Sequence, residues 1–372
     1  MTKSSSECLI TKDQIKNVYV HIPFCEHICF YCDFVKTKVI SDKLIDDYLD
    51  KLINEWKTKN CDYMLDTIYI GGGTPSVLNV NQINKLMSCF QNNICKDTEI
   101  TIELNPESTR KDKLIAYKNN GINRISLGVQ TFSDDLLKKI GRKHTLETIK
   151  SAFYSIKEVG FENISIDLMY NLFDQTKKDI YFDFKMIKKL RPNHISWYSL
   201  ILKEDSIWGK MQKKLPLNDY NFDLLINKKM AKSNFERYEI SNYALDGKKS
   251  KHNLCYWTNK LFYGIGVGAS GFESLDNELS LTNNVGNVTS YKQKKEILTI
   301  DDYYFQILMM GLRLIDGINL NIENDTYFAF KRYEISIQRL ISKNLLEIKN
   351  NHLKTTELGY INLNDVLIEI LE

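Results

Sequence analysis

The 372-residue sequence has no apolar run of the length that crosses a bilayer, and its opening MTKSSSECLITKDQ lacks the apolar stretch of a secretory signal. A cytoplasmic protein is the expectation. Surplus charge is missing too. Fifty basic residues against 47 acidic ones leave a formal charge of +3, so bulk electrostatics gives no case for nucleic acid or an anionic membrane as the main partner. A disulfide framework is also absent from the pattern. Eight cysteines are too few and too scattered over this length, with Cys8, Cys61, Cys89, Cys95 and Cys255 far apart. What is present is the composition of a packed globular protein, 43% hydrophobic and 26% charged.

Between residues 17 and 200, short β-branched runs alternate with longer amphipathic segments. The strand candidates are 18–24, 67–72, 99–105, 124–130, 163–170 and 194–200. Helical patterns lie between them. One is opened by Ser41 and Asp42, and another runs from Thr145 to Gly160. This order requires parallel strands joined by right-handed crossovers, in an open doubly wound sheet or a whole or partial barrel. Ligands then bind at the carboxyl ends of the strands. Beyond residue 240 the pattern changes without a low-complexity linker. A tail over 1–16, a core over 17–240, a connecting segment over 241–298 and a small, mainly helical domain over 299–372 are expected. That last part has a winged-helix-like outline, with Asn350 and Asn351 turning a hairpin. It carries no concentrated basic face, and no nucleic-acid role is assigned to it.

Three cysteines stand apart from the rest. In HIPFCEHICFYCDF, Cys25, Cys29 and Cys32 follow the first strand with spacing C-x3-C-x2-C and no fourth cysteine close by. Structural zinc is the plain alternative, but it takes four protein ligands, and here the fourth would have to be His21, His27 or a distant residue. Three thiolates on a four-iron cluster leave one iron open to an outside ligand. Phe24, Phe30, Tyr31 and Phe34 crowd the loop and would limit access of water and oxygen.

The cysteine spacing at the end of the first strand, followed by GGGTP, resembles the radical S-adenosylmethionine (SAM) superfamily. YVHIPFC, IYIGGGTPS, ITIELNPES, NRISLGVQTFSDDLLKKIGRKHT, FENISIDLMY, YEISNYA and KHNLCYW narrow it to oxygen-independent coproporphyrinogen III oxidase-like proteins over roughly residues 17–320. Oxidases of that family carry a further cysteine where this chain has Phe34. The heme-chaperone branch lacks it and carries H-N-x-x-Y-W, matched here by His252, Asn253, Tyr256 and Trp257. The resemblance implies a partial (β/α)6 barrel and a [4Fe-4S] cluster on Cys25, Cys29 and Cys32, whose free iron chelates SAM. It further implies heme as a bound group, heme-accepting proteins as partners, an electron donor such as a flavodoxin or ferredoxin, and peripheral membrane association. Oxidative decarboxylation of coproporphyrinogen is the alternative activity.

By the same resemblance Gly71, Gly72 and Thr74 approach the SAM amino group, Glu103 and Gln130 contact SAM, Asp167 meets ribose hydroxyls, and Arg142 lies near the SAM carboxylate. Read without it, Glu103 lies on the polar side of an alternating strand, where an unpaired buried charge implies a ligand or a basic partner. Arg142 reads equally as a surface helix-end cation. Tyr19 and His21, two apart on one strand, share a face, and the resemblance places them beside the cluster and near the substrate. His252 is either a heme ligand or a structural histidine, and Cys255 is the second candidate for the iron. Two departures from the family stand out. NLFDQT occupies residues 171–176 in place of G-L-P-G-Q-T, a turn that Asn and Asp can hold in the left-handed region, and Ser270 replaces a histidine in GASGF.

Overall fold

The computed structural model describes residues 14–217, 219–275, 278–322 and 324–372. Cys8 and most of the expected tail lie outside them. Six parallel strands form the centre: β1 Asn17–Ile22, β2 Thr67–Gly72, β3 Glu99–Leu104, β4 Arg124–Gln130, β5 Asn163–Tyr170 and β6 His194–Ser199. They lie side by side in chain order. A helix crosses between each pair, so every strand points the same way and all six carboxyl ends meet at one rim. The expected α/β partial barrel is the architecture.

Sheet pairing continues past residue 240. Tyr263–Ile265 adds a parallel strand beside β1, and the antiparallel pair Asn242–Ala244 and Glu236–Arg237 extends the sheet beyond β6, giving nine strands. A separate three-stranded antiparallel sheet follows, Ser270–Leu275, Glu278–Asn287 and Ser290–Ile297.

The two faces of the parallel sheet differ for a reason readable in each strand. Ile68 and Ile70, Ile100 and Ile102, Ile125 and Leu127, and Ile164 and Ile166 point to the helices and join the main core. Their alternates, including Thr101, Arg124, Ser126, Ser165, His194 and Ser196, are buried and polar. Parallel strands buried on both faces usually read as continuous apolar runs. Here the inner face is a hydrogen-bonded interior in which Ser126 and Ser165 donate to Asp167, and His194 links the Ser165 and Tyr238 hydroxyls.

Helix ends follow the sequence. Ser41 accepts from the Leu44 amide to start Asp42–Thr58, and Thr145 accepts from Thr148 to start Leu146–Glu158. The C-terminal part has its own core around Leu308, Leu312, Ile337, Leu353 and Val366. Its order from residue 300 is helix, strand, two helices, two strands and two helices, with the strands in one antiparallel sheet. Asn350 and Asn351 at φ 51° and 61° form the hairpin turn.

Candidate radical SAM site

Cys25 ends a two-residue strand, Phe24–Cys25, paired with Thr37–Lys38, so the cysteine loop is clamped at both ends. His21 pins its returning arm. The His21 Nε2 lies 2.8 Å from the Val35 carbonyl and must donate to it, and Nδ1 then accepts from the Tyr19 hydroxyl at 3.1 Å. Burial lowers the His21 pKa, which keeps the ring neutral and suited to that double role. Tyr19 and His21 therefore position the loop.

The three thiols open into a cavity of about 460 Å³ at the rim, shared with Gly72, Thr74, Glu103, Gln130, Arg142 and Asp167. Gly71 stands just behind it. A side chain there would start 2.9 Å from Glu103 Oε1, and one at Gly73 would start 2.9 Å from Cys25 Sγ, so the triple glycine lets the backbone run against both groups. The Thr74 hydroxyl donates to Cys25 Sγ at 3.5 Å. Among the described residues no three His, Cys, Asp or Glu side chains converge on a single ion position. Thiolates at three corners of a cluster need no such convergence.

Arg142 is half-buried in the cavity wall with its guanidinium turned inward, which counts against the surface-cation reading. It donates to Cys29 Sγ at 3.6 Å, to Asn105 Oδ1 at 3.1 Å and to the Gly128 carbonyl at 2.8 Å. Burial opposes its charge, but Tyr31, Cys29 and Glu107 more than offset that and raise its pKa. Its Nε is a buried donor with no partner among the described residues, a vacancy that suits an anionic ligand. Asn105 and Gly128 were not in the expected set. Gly128 is required because a side chain there would start 2.9 Å from Arg142 Nη2. Its signal was a glycine inside a strand.

Glu103 accepts from the Tyr69 hydroxyl at 2.8 Å and the Gly72 amide at 3.2 Å. Burial, then repulsion from Asp167, pushes its pKa up to about 7. Burial raises Asp167 as well, against hydrogen bonds from Ser126, Ser196 and Ser165. Gln130 ends β4 at φ 69° beside a register shift, which turns it over the cavity. Asn171 and Asp174, at φ 60° and 61°, hold the substituted turn in the left-handed region. Ser270 is exposed and opens an antiparallel strand.

The H-N-x-x-Y-W residues are elsewhere. They form the helix Lys251–Trp257 beneath the amino ends of the strands, its first amides donating to Glu99 at the start of β3. His252 is buried, stacked on Tyr69 with ring centroids 5.1 Å apart. Since the Thr67 hydroxyl donates to Asn17, His252 Nδ1 must donate to Thr67 at 2.7 Å, and its Nε2 accepts from Tyr256 at 2.7 Å. Burial, then Arg124, pushes its pKa down to about 3. Both ring nitrogens are thus occupied. Cys255 is buried and its thiol is pushed up to about 12, so it is no thiolate. The Asn253 backbone N–H donates to the capping Ser250 hydroxyl, and Trp257 faces a second cavity.

The radical SAM superfamily model matches residues 19–187. The heme chaperone HemW of Lactococcus lactis is 36% identical over 95% of this chain and 97% of its own length. The chain belongs to the HemW-type family of radical SAM proteins. HemW of Bacillus subtilis is 41% identical over 82% of the chain and 85% of its own. Coproporphyrinogen III oxidase (HemN) from Escherichia coli, a radical SAM enzyme, superposes with a TM-score of 0.79 over 95% of this chain and 89% of its own. At 21% identity that likeness is one of fold. No helix among the described residues is long and apolar enough to cross a membrane.

Proposed function

We propose that this protein is a heme chaperone that holds a [4Fe-4S] cluster and SAM at the rim cavity, binds heme, and passes it to acceptor proteins. The observation that carries the reading is the full-length similarity to heme chaperones, joined to Phe34 at the position of the oxidases' extra cysteine. Cys25, Cys29 and Cys32 would ligate the cluster, with the Thr74 and Arg142 donors on two of the sulfurs tuning it. The cluster and SAM together would supply an iron with an open coordination place and, given an electron, radical chemistry. Glu103, held by the Gly72 amide, offers an acceptor for the ammonium end of SAM, and the unpaired Arg142 Nε a donor for its carboxylate. A small electron-transfer protein, such as a flavodoxin or ferredoxin, would meet the exposed Ile28, Phe30 and Phe34 around the loop. The cytoplasm is the proposed compartment, with peripheral contact where an acceptor is membrane-bound.

The test is an anaerobic heme titration of cluster-reconstituted protein followed by absorption, then mixing with a heme-free acceptor. Saturable binding and loss of the bound spectrum to the acceptor support the reading. Absence of specific binding overturns it, and conversion of coproporphyrinogen to protoporphyrinogen in the same preparation would establish the oxidase alternative.

A further inference from the structure

A heme ligand needs a ring nitrogen that is free, and the six histidines differ sharply in this. His21, His144, His194 and His252 each have both nitrogens hydrogen-bonded. His27 is exposed in the cysteine loop, at the rim cavity. His352 is placed differently. It opens the strand His352–Thr355, and its Nδ1 donates to the Asn350 carbonyl at 2.9 Å, leaving Nε2 without a hydrogen-bond partner among the described residues. A carbonyl on Nδ1 is the arrangement that fixes the tautomer and orientation for metal binding through Nε2.

His352 lines the second cavity, about 990 Å³, between the Lys251–Trp257 helix and the C-terminal core. Trp257, Phe272, Tyr303 and Ile307 supply the flat and apolar wall. That volume is at the upper end of the range for small-molecule sites, roughly 300–1,000 Å³. Two donors on this wall, Trp257 Nε1 and Asn259 Nδ2, are buried with no partner among the described residues. Lys16 and Lys260 add cations, with Asp66 and Asp325 as the opposing charges, Asp325 taking the Tyr303 hydroxyl. An apolar planar ring, two carboxylates and an iron in need of an axial nitrogen are the groups such a cleft accommodates.

Resting on the heme reading above, we propose that this cleft binds the heme cargo, with His352 Nε2 as ligand to its iron. The motif helix then serves the cargo through Trp257 as a wall, while His252 holds the helix against the sheet.

The test is an anaerobic titration of ferric heme into cluster-reconstituted wild type, His352→Gly and His252→Ala, read by absorption and electron paramagnetic resonance, with circular dichroism to check folding. For His352→Gly the expected result is binding weakened by about 10- to 100-fold, an altered ligand spectrum, and recovery of the wild-type spectrum on adding imidazole. A His352→Gly protein that binds heme with the wild-type spectrum overturns the proposal while leaving the heme reading intact. So does loss that imidazole does not restore. Failure of wild type to bind heme overturns both.

Discussion

Binding of SAM at the rim cavity should weaken as pH falls through neutrality, and Glu103 should be the cause. Its carboxylate is the proposed acceptor there for a cationic ligand, and burial with Asp167 nearby pushes its pKa up to about 7, while the Tyr69 hydroxyl, the Gly72 amide and Arg124 favour the charged form. Asp167 is raised as well, but three serine hydroxyls support its charged form. A carboxyl titrating at about 7 is charged in about one molecule in eleven at about pH 6, and in most molecules by about pH 8. If binding requires the anion, affinity falls about tenfold over that interval. The SAM amine titrates over part of the same range, so the informative quantity is the ratio of wild-type to Glu103→Gln affinity, in which the ligand's own ionisation cancels. Equilibrium dialysis of SAM against cluster-reconstituted protein under anaerobic conditions measures it. The ratio should rise about tenfold from pH 6 to pH 8, with Glu103→Gln the weaker binder at the upper end. A ratio that stays flat would show that Glu103 is not the group that receives the cation.

Gly73→Ala should lower cluster content, measured as iron and acid-labile sulfide per chain, because the new carbon meets Cys25 Sγ, the Phe24 carbonyl oxygen and the Pro23 carbonyl carbon all at 2.9 Å. Retention of full iron content would contradict the cradle. His252→Ala should lower the stability of the protein by about 2 kcal/mol or more, since it leaves the Tyr256 hydroxyl without its acceptor, removes the donor to Thr67 and opens a gap beside Tyr69. Denaturant unfolding tests this, and an unchanged midpoint would refute the structural role. Asp183, which accepts from the Phe132 amide and the Thr131 hydroxyl, is pushed up to about 7 by burial. A carboxyl raised on folding stabilises most below its unfolded value and loses that contribution as pH rises towards 7. Asp183→Asn should therefore flatten the pH dependence of the unfolding midpoint between about pH 4 and pH 7, and an unaltered slope would sink the assignment.

How much of this was legible in advance varied with the range of the interaction. All six parallel strands, the Ser41 and Thr145 caps and the Asn350–Asn351 turn follow from neighbours a few residues apart, where alternation and side-chain-to-backbone hydrogen bonds act locally. The three-cysteine loop at the first strand end was equally local. That the sheet continues into Asn242–Ala244 and Tyr263–Ile265 was not legible, because three-residue edge strands carry too little pattern to be seen before their partners are known.

The chain order by itself determined parallel strands, a loop cluster at their carboxyl ends and three thiols in the first of those loops. Only the tertiary structure decided what each polar side chain faces. Arg142 became a donor to Cys29 because its guanidinium lies against the bare backbone of Gly128. His252, five residues ahead of Trp257, spent both nitrogens under the sheet while Trp257 turned to a separate cavity. Sequence spacing fixes which groups share an element, but whether a nitrogen is free depends on partners as far away as Thr67, 185 residues earlier, and those meet only when the chain is packed.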